Sequence, residues 1–205
     1  MEFRDVFSAV CISLSLVCTL PQAYRVLVHN TVEGVSPPTQ LQGFAGSILW
    51  IVYGLHSGTY LVVLANMMTI VGVGIVIVQM VRHKTIGSTR VARVEVGVLA
   101  LSLLLLMFSP TMLAFVAVVV GSTGILPQVI RAARTQHLTG VSVATYAIIA
   151  VMSMSWFAYG IMIDNYFVAA PNFIIVPSAA FIAFRAVRSH QLHSKTSVAS
   201  ALPAR

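Results

Sequence analysis

Charged side chains are scarce in this chain of 205 residues. Asp, Glu, Lys and Arg make up 8% of it, against about 25% in an average soluble domain. Four long segments contain none of them, and one membrane span needs roughly 20 mostly apolar residues. These segments are 6–24, 34–81, 96–130 and 165–184. The composition therefore excludes a soluble protein and predicts several membrane spans.

Reactive residues are also few, and they are not grouped. Cys11 and Cys18 lie on one predicted helix, too far apart to form a disulfide with each other. No set of His and Cys residues has the spacing of metal ligands, and no nucleophile elbow or phosphate-binding loop occurs. An enzyme is therefore the least favoured class, and we expect no catalytic residue, no metal and no cofactor.

The net charge of +7 is concentrated on one predicted side of the membrane. With the N-terminus outside, 11 of the 12 Lys and Arg residues are cytoplasmic and only Arg4 is extracellular, as the positive-inside rule requires. We therefore predict a multi-pass protein of the cell (plasma or inner) membrane with an extracellular N-terminus and a cytoplasmic C-terminus. The basic residues suit contact with lipid headgroups. No basic patch is interleaved with aromatic residues, so no nucleic-acid partner is expected.

Hydropathy predicts seven transmembrane helices in an all-α fold. The uncharged segments 34–81 and 96–130 are each too long for one span, so each is divided in two. The second helix is the least hydrophobic, because it opens with Pro37 and Pro38. The predicted helices are 6–27, 38–56, 59–80, 94–108, 111–131, 142–162 and 166–186.

The chain also contains an internal repeat with an offset of 106 residues. From Leu20 to Arg82, 17 of 63 positions are identical to those 106 residues later, without a gap. Shared apolar composition does not explain paired Trp, Asn and Pro-Gln residues at constant spacing. The pairs include Pro21-Gln22 with Pro127-Gln128, Gly34-Val35-Ser36 with Gly140-Val141-Ser142, Ser47 with Ser153, Trp50 with Trp156, Tyr53 with Tyr159, and Asn66 with Asn172. Such repeats are typical of transporters whose halves rock about a site between them.

Each copy of the repeat contains three predicted helices. Because three is odd, a second copy directly after the first would be inverted, and one extra helix restores its orientation. The sequence therefore predicts a 3+1+3 arrangement, in which two parallel triple-helix bundles are related by a pseudo-twofold axis along the membrane normal. The predicted divisions are 1–82 for the first repeat, 83–110 for a cytoplasmic loop and linker helix, 111–188 for the second repeat and 189–205 for a disordered cytoplasmic tail.

Parallel copies place equivalent residues at equal depth. Trp50 and Asn66 each lie eight residues from Gly58, roughly 12 Å below the outer surface and near the middle of a ~30 Å core. Amides and indoles at this depth suit the hydroxyl edges and C–H faces of a small neutral sugar better than an ion. The alternative is structural: each Asn bonds a neighbouring helix and each Trp packs. The predicted substrate-binding residues are Trp50, Asn66, Trp156 and Asn172, with Ser47 and Ser153 one turn before each Trp.

Two further pairs are candidate moving parts. Pro21-Gln22 and Pro127-Gln128 lie toward the cytoplasmic ends of the first and fifth helices. They are interpreted either as hinges that close the inner end of the pathway or as static kinks that shape the bundle. Tyr53 and Tyr159 lie one turn outward of the tryptophans. They are interpreted either as gates of the outer mouth or as aromatic anchors at the membrane interface. No carboxylate is expected deep in a span, with Glu95 at a predicted helix end, so we expect a facilitator rather than a proton-coupled transporter.

With these motifs, residues 6–188 resemble the SWEET and SemiSWEET sugar transporters of the MtN3/PQ-loop group. The resemblance implies a 3+1+3 bundle, an extracellular N-terminus and alternating-access uniport of mono- or disaccharides. It also implies that Trp50, Asn66, Trp156 and Asn172 bind the sugar, that Ser47 and Ser153 line the pocket, and that the Pro-Gln pairs are hinges. Homo-oligomerisation is left open.

Two other classes of protein share this architecture and remain alternative interpretations. The first is a PQ-loop transporter of amino acids or another small metabolite; members similar to cystinosin carry an intramembrane Asp, which the sequence does not show. The second is a non-transporting receptor similar to the KDEL receptor, which needs charged residues in its cavity to bind a peptide carboxylate. The sequence shows none.

Overall fold

The structure, a computed structural model, is a bundle of long helices. It describes residues 3–28, 30–32, 35–135, 138 and 141–201, and only the backbone of 3–8, 19–21, 25 and 193–201. Gly34 and Gly140 of the repeated Gly-Val-Ser motif lie outside the described residues. Within these residues there is no strand. The helices are α1 (Phe3–Val28), α2 (Pro37–Ser57), α3 (Tyr60–Arg82), α4 (Ser88–Phe108), α5 (Pro110–Thr123), α6 (Leu126–Arg134), α7 (Val143–Met162) and α8 (Tyr166–Ala201).

These helices make seven membrane-crossing segments. Six are long and apolar enough to span by length and composition, and α5 and α6 together form one of them, Pro110–Arg134. The seventh is α2, which is 21 residues long but opens with polar turns. It packs against α3, α4 and α5 inside the bundle. The predicted all-α membrane fold with seven segments is confirmed, and the chain is a multi-pass membrane protein.

The two repeats form two bundles that meet along equivalent surfaces. In the first, α3 packs against α1 and α2; in the second, α8 packs against α5, α6 and α7. Between the bundles, α2 contacts α5 and α1 contacts α7, and these two contacts are interchanged by the repeat. The linker helix α4 packs against α2 and α5. The predicted 3+1+3 arrangement with parallel repeats is thus the observed fold.

Tight turns join the second and third helices of each repeat, at Gly58 and Asp164, both with left-handed backbones (φ 69° and 52°). We call this side of the bundle the turn end. The opposite side carries the ends of α3 and α6 with their arginines, Arg82 and Arg134, and we call it the basic end. There Arg185 of α8 donates to the carbonyls of Ala132 and Thr135 at 3.0 and 3.1 Å, which caps α6.

The sequence pattern predicts Glu95 at a helix end, whereas the structure places it inside α4. The fourth helix begins at Ser88 rather than near residue 94, so Glu95 is its eighth residue, about two turns from the start. The side chain is 9% exposed, and neither carboxylate oxygen has a hydrogen-bond partner among the described residues. The expectation of no acidic residue inside a span is corrected for this one position.

The predicted tail begins inside α8. This helix continues through Ser189, whose buried Oγ accepts the backbone N–H of Leu138 at 2.8 Å, and ends at Ala201. Residues 202–205 lie outside the described residues. The proposed division at residue 189 therefore does not coincide with a helix end, and the domain limits stay a prediction.

Candidate functional site: a central cavity between the repeats

A cavity of about 430 Å³ lies between the two repeats, within the ~300–1,000 Å³ range of small-ligand sites. Both repeats contribute equivalent segments to its wall. Among the described residues that line it, none carries a charge. Its polar and aromatic lining consists of Ser15, Cys18, Thr39, Gln42, Ser47, Trp50, Asn66, Thr69, Trp156 and Asn172. An uncharged wall of amides, hydroxyls and indoles suits a neutral, hydroxyl-bearing solute.

Five of the six predicted binding residues line this cavity. Trp50, Asn66, Trp156 and Asn172 all do, and so does Ser47. Ser153, the equivalent of Ser47, does not: it is 1% exposed, and its Oγ has no partner among the described residues. The repeat therefore brings both Trp-Asn pairs to one cavity but presents its serine on one side only.

The two asparagines have the same geometry. Asn66 Nδ2 donates to the Val62 carbonyl at 2.8 Å, and Asn172 Nδ2 donates to the Val168 carbonyl at 3.0 Å. Each amide is thereby tied to the previous turn of its own helix. Each Oδ1, an acceptor, and the second N–H have no other partner in the described part of the chain. The alternative prediction is that each Asn hydrogen-bonds a neighbouring helix. In the structure, each Asn instead hydrogen-bonds its own helix.

The two tryptophans lie at the turn-end side of the cavity but differ in their hydrogen bonds. Trp156 Nε1 donates to Ser15 Oγ at 3.2 Å, and Ser15 Oγ donates to the Cys11 carbonyl at 2.9 Å. Trp50 Nε1 has no acceptor among the described residues; it faces Gly121, where an added β-carbon would lie 3.2 Å away. The signal for this difference is present in the repeat, because Ser15 and Gly121 are equivalent positions.

A layer of tyrosines separates the central cavity from a second one at the turn end. Trp50 and Tyr53 pack edge to face with centroids 5.8 Å apart, and Trp156 and Tyr159 do so at 5.6 Å. Beyond both tyrosines lies a cavity of about 460 Å³. Across the layer, Tyr53 Oη donates to Asn165 Oδ1 at 2.9 Å, which joins α2 of the first repeat to the start of α8. The repeat pattern carried no signal for Asn165, because its equivalent is Thr59.

Gln22, Pro127 and Gln128 are not among the described residues that line the central cavity. Pro21 and Gln22 are within α1, which is continuous, whereas the fifth segment is interrupted at Gly124-Ile125 just before Pro127. Proline lacks an N–H and clashes with the carbonyl four residues earlier, so α5 ends there and α6 begins. Gln128 follows in α6.

A residue that sequence reasoning missed lies against the interruption in the fifth segment. Gln42 of α2 donates to the Val120 carbonyl at 3.0 Å and lies 3.1 Å from Thr123 Oγ1. It also lines the central cavity. Its repeat equivalent is Ile148, so the sequence pattern carried no signal for it.

Comparison with known proteins decides the family. The PQ loop repeat family matches residues 3–63. The sugar transporter SemiSWEET of Leptospira biflexa serovar Patoc is 32% identical over 74 residues, which cover 36% of this chain and 87% of that protein. This chain belongs to the SWEET and SemiSWEET family. The structure of a eukaryotic SWEET transporter superposes with a TM-score of 0.73 over 93% of this chain and 100% of that one, at 15% identity.

Family membership confirms the resemblance found from the motifs. The matched SemiSWEET segment is about the length of one repeat, and the superposed SWEET transporter covers both. These relatives are transporters, not enzymes. The similarity at 15% identity supports the fold alone.

Proposed function

We propose that this SWEET-family protein carries a small neutral sugar across the membrane by facilitative uniport. The observation that carries the proposal is the uncharged cavity to which both repeats contribute a Trp-Asn pair. The relative from Leptospira biflexa, which is a sugar transporter by name, supports the substrate class.

The cavity chemistry matches a polyol. Asn66 and Asn172 each offer an Oδ1 acceptor and an unused N–H, a combination that serves neighbouring hydroxyls of one sugar. Trp50 and Trp156 offer flat apolar faces for its C–H surface. A buried hydroxyl-binding site discriminates strongly against solutes that leave its polar groups unpaired. Amino acids, which bring two charges, have no counter-charge in the described lining.

The mechanism we infer is alternating access. The central cavity extends along α2 from Trp50 to Thr39, toward the basic end, while the Trp-Tyr layer and the Tyr53–Asn165 hydrogen bond lie between it and the turn end. In this alternating-access mechanism, the conformation in the structure is closed at the turn end, and Tyr53 and Tyr159 form the gate. Pro21-Gln22 and Pro127-Gln128 are the hinges at the other end. The basic end faces the cytoplasm and anionic lipid headgroups, in the plasma or inner membrane.

Glu95 bears on whether transport is coupled to protons. Its carboxylate is buried on α4, and it does not line the central cavity. Uniport therefore predicts that flux is unchanged when a pH gradient across the membrane is dissipated, and that Glu95→Gln transports at the wild-type rate. A flux that collapses with the gradient contradicts uniport.

The test is counterflow of radiolabelled D-glucose and sucrose in proteoliposomes, with amino acids as competitors. Asn66→Ala and Asn172→Ala each remove one acceptor for a substrate hydroxyl. We expect this loss to raise the free-energy barrier of transport by ~1.4 kcal/mol or more, so that flux falls at least about tenfold. Met67→Ala is the control, because Met67 adjoins Asn66 but is 52% exposed on the outer surface of the bundle. Wild-type flux in both Asn variants contradicts the assignment of the cavity, and displacement by amino acids alone selects the metabolite alternative.

A further inference from the structure

The two repeats place different residues beneath their equivalent tryptophans. Ser15 in α1 and Gly121 in α5 are 106 residues apart and therefore correspond. Ser15 accepts the indole N–H of Trp156. Gly121 has no side chain, and a β-carbon there would lie 3.2 Å from Trp50 Nε1, which is tighter than ordinary van der Waals contact. One indole donor is thus held by the protein, and the other is not.

The free donor borders the central cavity. Trp50 lines the cavity, and its Nε1–H meets no acceptor among the residues that the structure describes. An indole N–H that borders a cavity can donate to a water or to a ligand oxygen that enters it, and leaving it unpaired costs free energy. The polar side chain of Gln42 is already directed elsewhere, to Val120 and Thr123.

From this geometry we propose that Trp50 and Trp156 have different roles in substrate recognition: Trp50 Nε1–H donates a hydrogen bond to a hydroxyl or ring oxygen of the sugar, whereas Trp156 contributes its ring face. Gly121 is a specificity-determining residue because it keeps the Trp50 donor free. Ser15 is a positioning residue for Trp156. This inference rests on the proposed function, and it predicts one preferred orientation of the sugar instead of two equivalent ones.

The chain offers a direct readout, because Trp50 and Trp156 are its only two tryptophans. Protein labelled with ¹⁵N-tryptophan gives two indole N–H signals by NMR in detergent micelles, and Trp50→Phe and Trp156→Phe assign them. On titration with D-glucose or sucrose, we expect the Trp50 signal to shift and the Trp156 signal to change far less. In the absence of sugar, Ser15→Ala is expected to move the Trp156 signal only.

Two substitutions at one position separate hydrogen bonding from crowding. Gly121→Ser introduces the hydroxyl acceptor found in the other repeat. The Trp50 Nε1–H then donates to this hydroxyl instead of to the sugar, so we expect the sugar affinity to fall about tenfold. Gly121→Ala adds only the β-carbon, which lies 3.2 Å from Trp50 Nε1, and it is expected to lose clearly less affinity than Gly121→Ser. Equal losses in both variants mean that crowding alone acts, and they overturn the donor assignment.

The outcomes also distinguish this inference from the proposed function. If a sugar is transported but shifts both indole signals equally, or shifts Trp156 more, the inference is overturned while sugar transport stands. If neither sugar is transported and neither signal moves, the proposed function fails and the inference fails with it. The wild-type titration decides between these outcomes even if a Gly121 variant does not fold.

Discussion

At the scale of single residues, two duplicated glycines explain how the helices of each repeat approach one another. Gly54 and Gly160 follow the paired tyrosines near the turn end. A β-carbon at Gly160 would lie 2.5 Å from the backbone nitrogen of Ala169, so α7 and α8 have no room for one. At Gly54 the first atom met is a side-chain carbon of Val63 at 2.8 Å. The repeated Tyr-Gly pair is therefore a packing requirement as well as part of the proposed gate.

We predict that Gly160→Ala lowers thermal stability more than Gly54→Ala. Overpacking against backbone forces the helices apart, at a cost of about 1–3 kcal/mol, whereas at Gly54 the closest atom belongs to a side chain and the nearest backbone atoms are 3.3 and 3.4 Å away. The measurement is the unfolding midpoint of purified protein in detergent. Gly97→Ala is the control, because nothing lies within 4 Å of the added carbon. Equal midpoints for Gly160→Ala and Gly97→Ala refute the close-packing explanation.

At the scale of helices, the two Pro-Gln motifs have different structures in this conformation. Pro21 lies within the continuous α1, whereas Pro127 follows a break that separates α5 from α6. Gln42, from the other repeat, contacts the end of α5 at Val120 and Thr123. A side chain that lines the cavity thus also touches the interrupted helix, which gives a physical connection between the proposed substrate site and the proposed hinge.

Pro127→Ala tests this difference between the two motifs. Alanine restores an N–H able to bond the Thr123 carbonyl, so a continuous fifth helix gains about 0.5–1.5 kcal/mol. We expect slower counterflow, roughly two- to tenfold, with Pro21→Ala causing the smaller change. The comparison is made at equal amounts of reconstituted protein. A larger effect of Pro21→Ala argues against Pro127 as the principal hinge.

At the scale of the whole molecule, a polar connection between the repeats at the turn end is one that the sequence did not suggest. Tyr53 Oη donates to Asn165 Oδ1, and Tyr53 also packs edge to face on Phe167 with centroids 6.1 Å apart. Both contacts join α2 to α8. Opening of the turn end, as alternating access requires, must break the hydrogen bond and move the Trp-Tyr layer.

Tyr53→Phe is therefore expected to favour the conformation open at the turn end. Loss of about 0.5–1.5 kcal/mol shifts a two-state population roughly two- to tenfold. The measurement is the distance distribution between spin labels at exposed Leu55→Cys and Met162→Cys, with Cys11→Ala and Cys18→Ala. Tyr60→Phe is the control, because Tyr60 is 70% exposed at the same end. An unchanged distribution in Tyr53→Phe shows that this bond does not hold the gate.

The candidate site was predictable where it depends on the repeat and its depth. Trp50, Asn66, Trp156 and Asn172 meet in one cavity because equal offsets from the turns place them at one level of parallel bundles. Ser153 has the same offset as Ser47 and does not line the cavity, and Glu95 is buried although it was placed at a helix end. These positions depend on which neighbouring helix covers them, and that information is not in the spacing.

The sequence alone determined the membrane class, the number of segments and the parallel arrangement of two repeats. Apolar run lengths, charge distribution and a constant offset are local properties, and they suffice for those conclusions. The tertiary structure alone decided what the differences between the repeats do: Ser15 accepts from Trp156 while Gly121 adjoins Trp50, Gln42 contacts the end of α5, and Asn165 accepts from Tyr53. Each of these differences acts through contacts between helices that are distant in the chain, so only their packing reveals it.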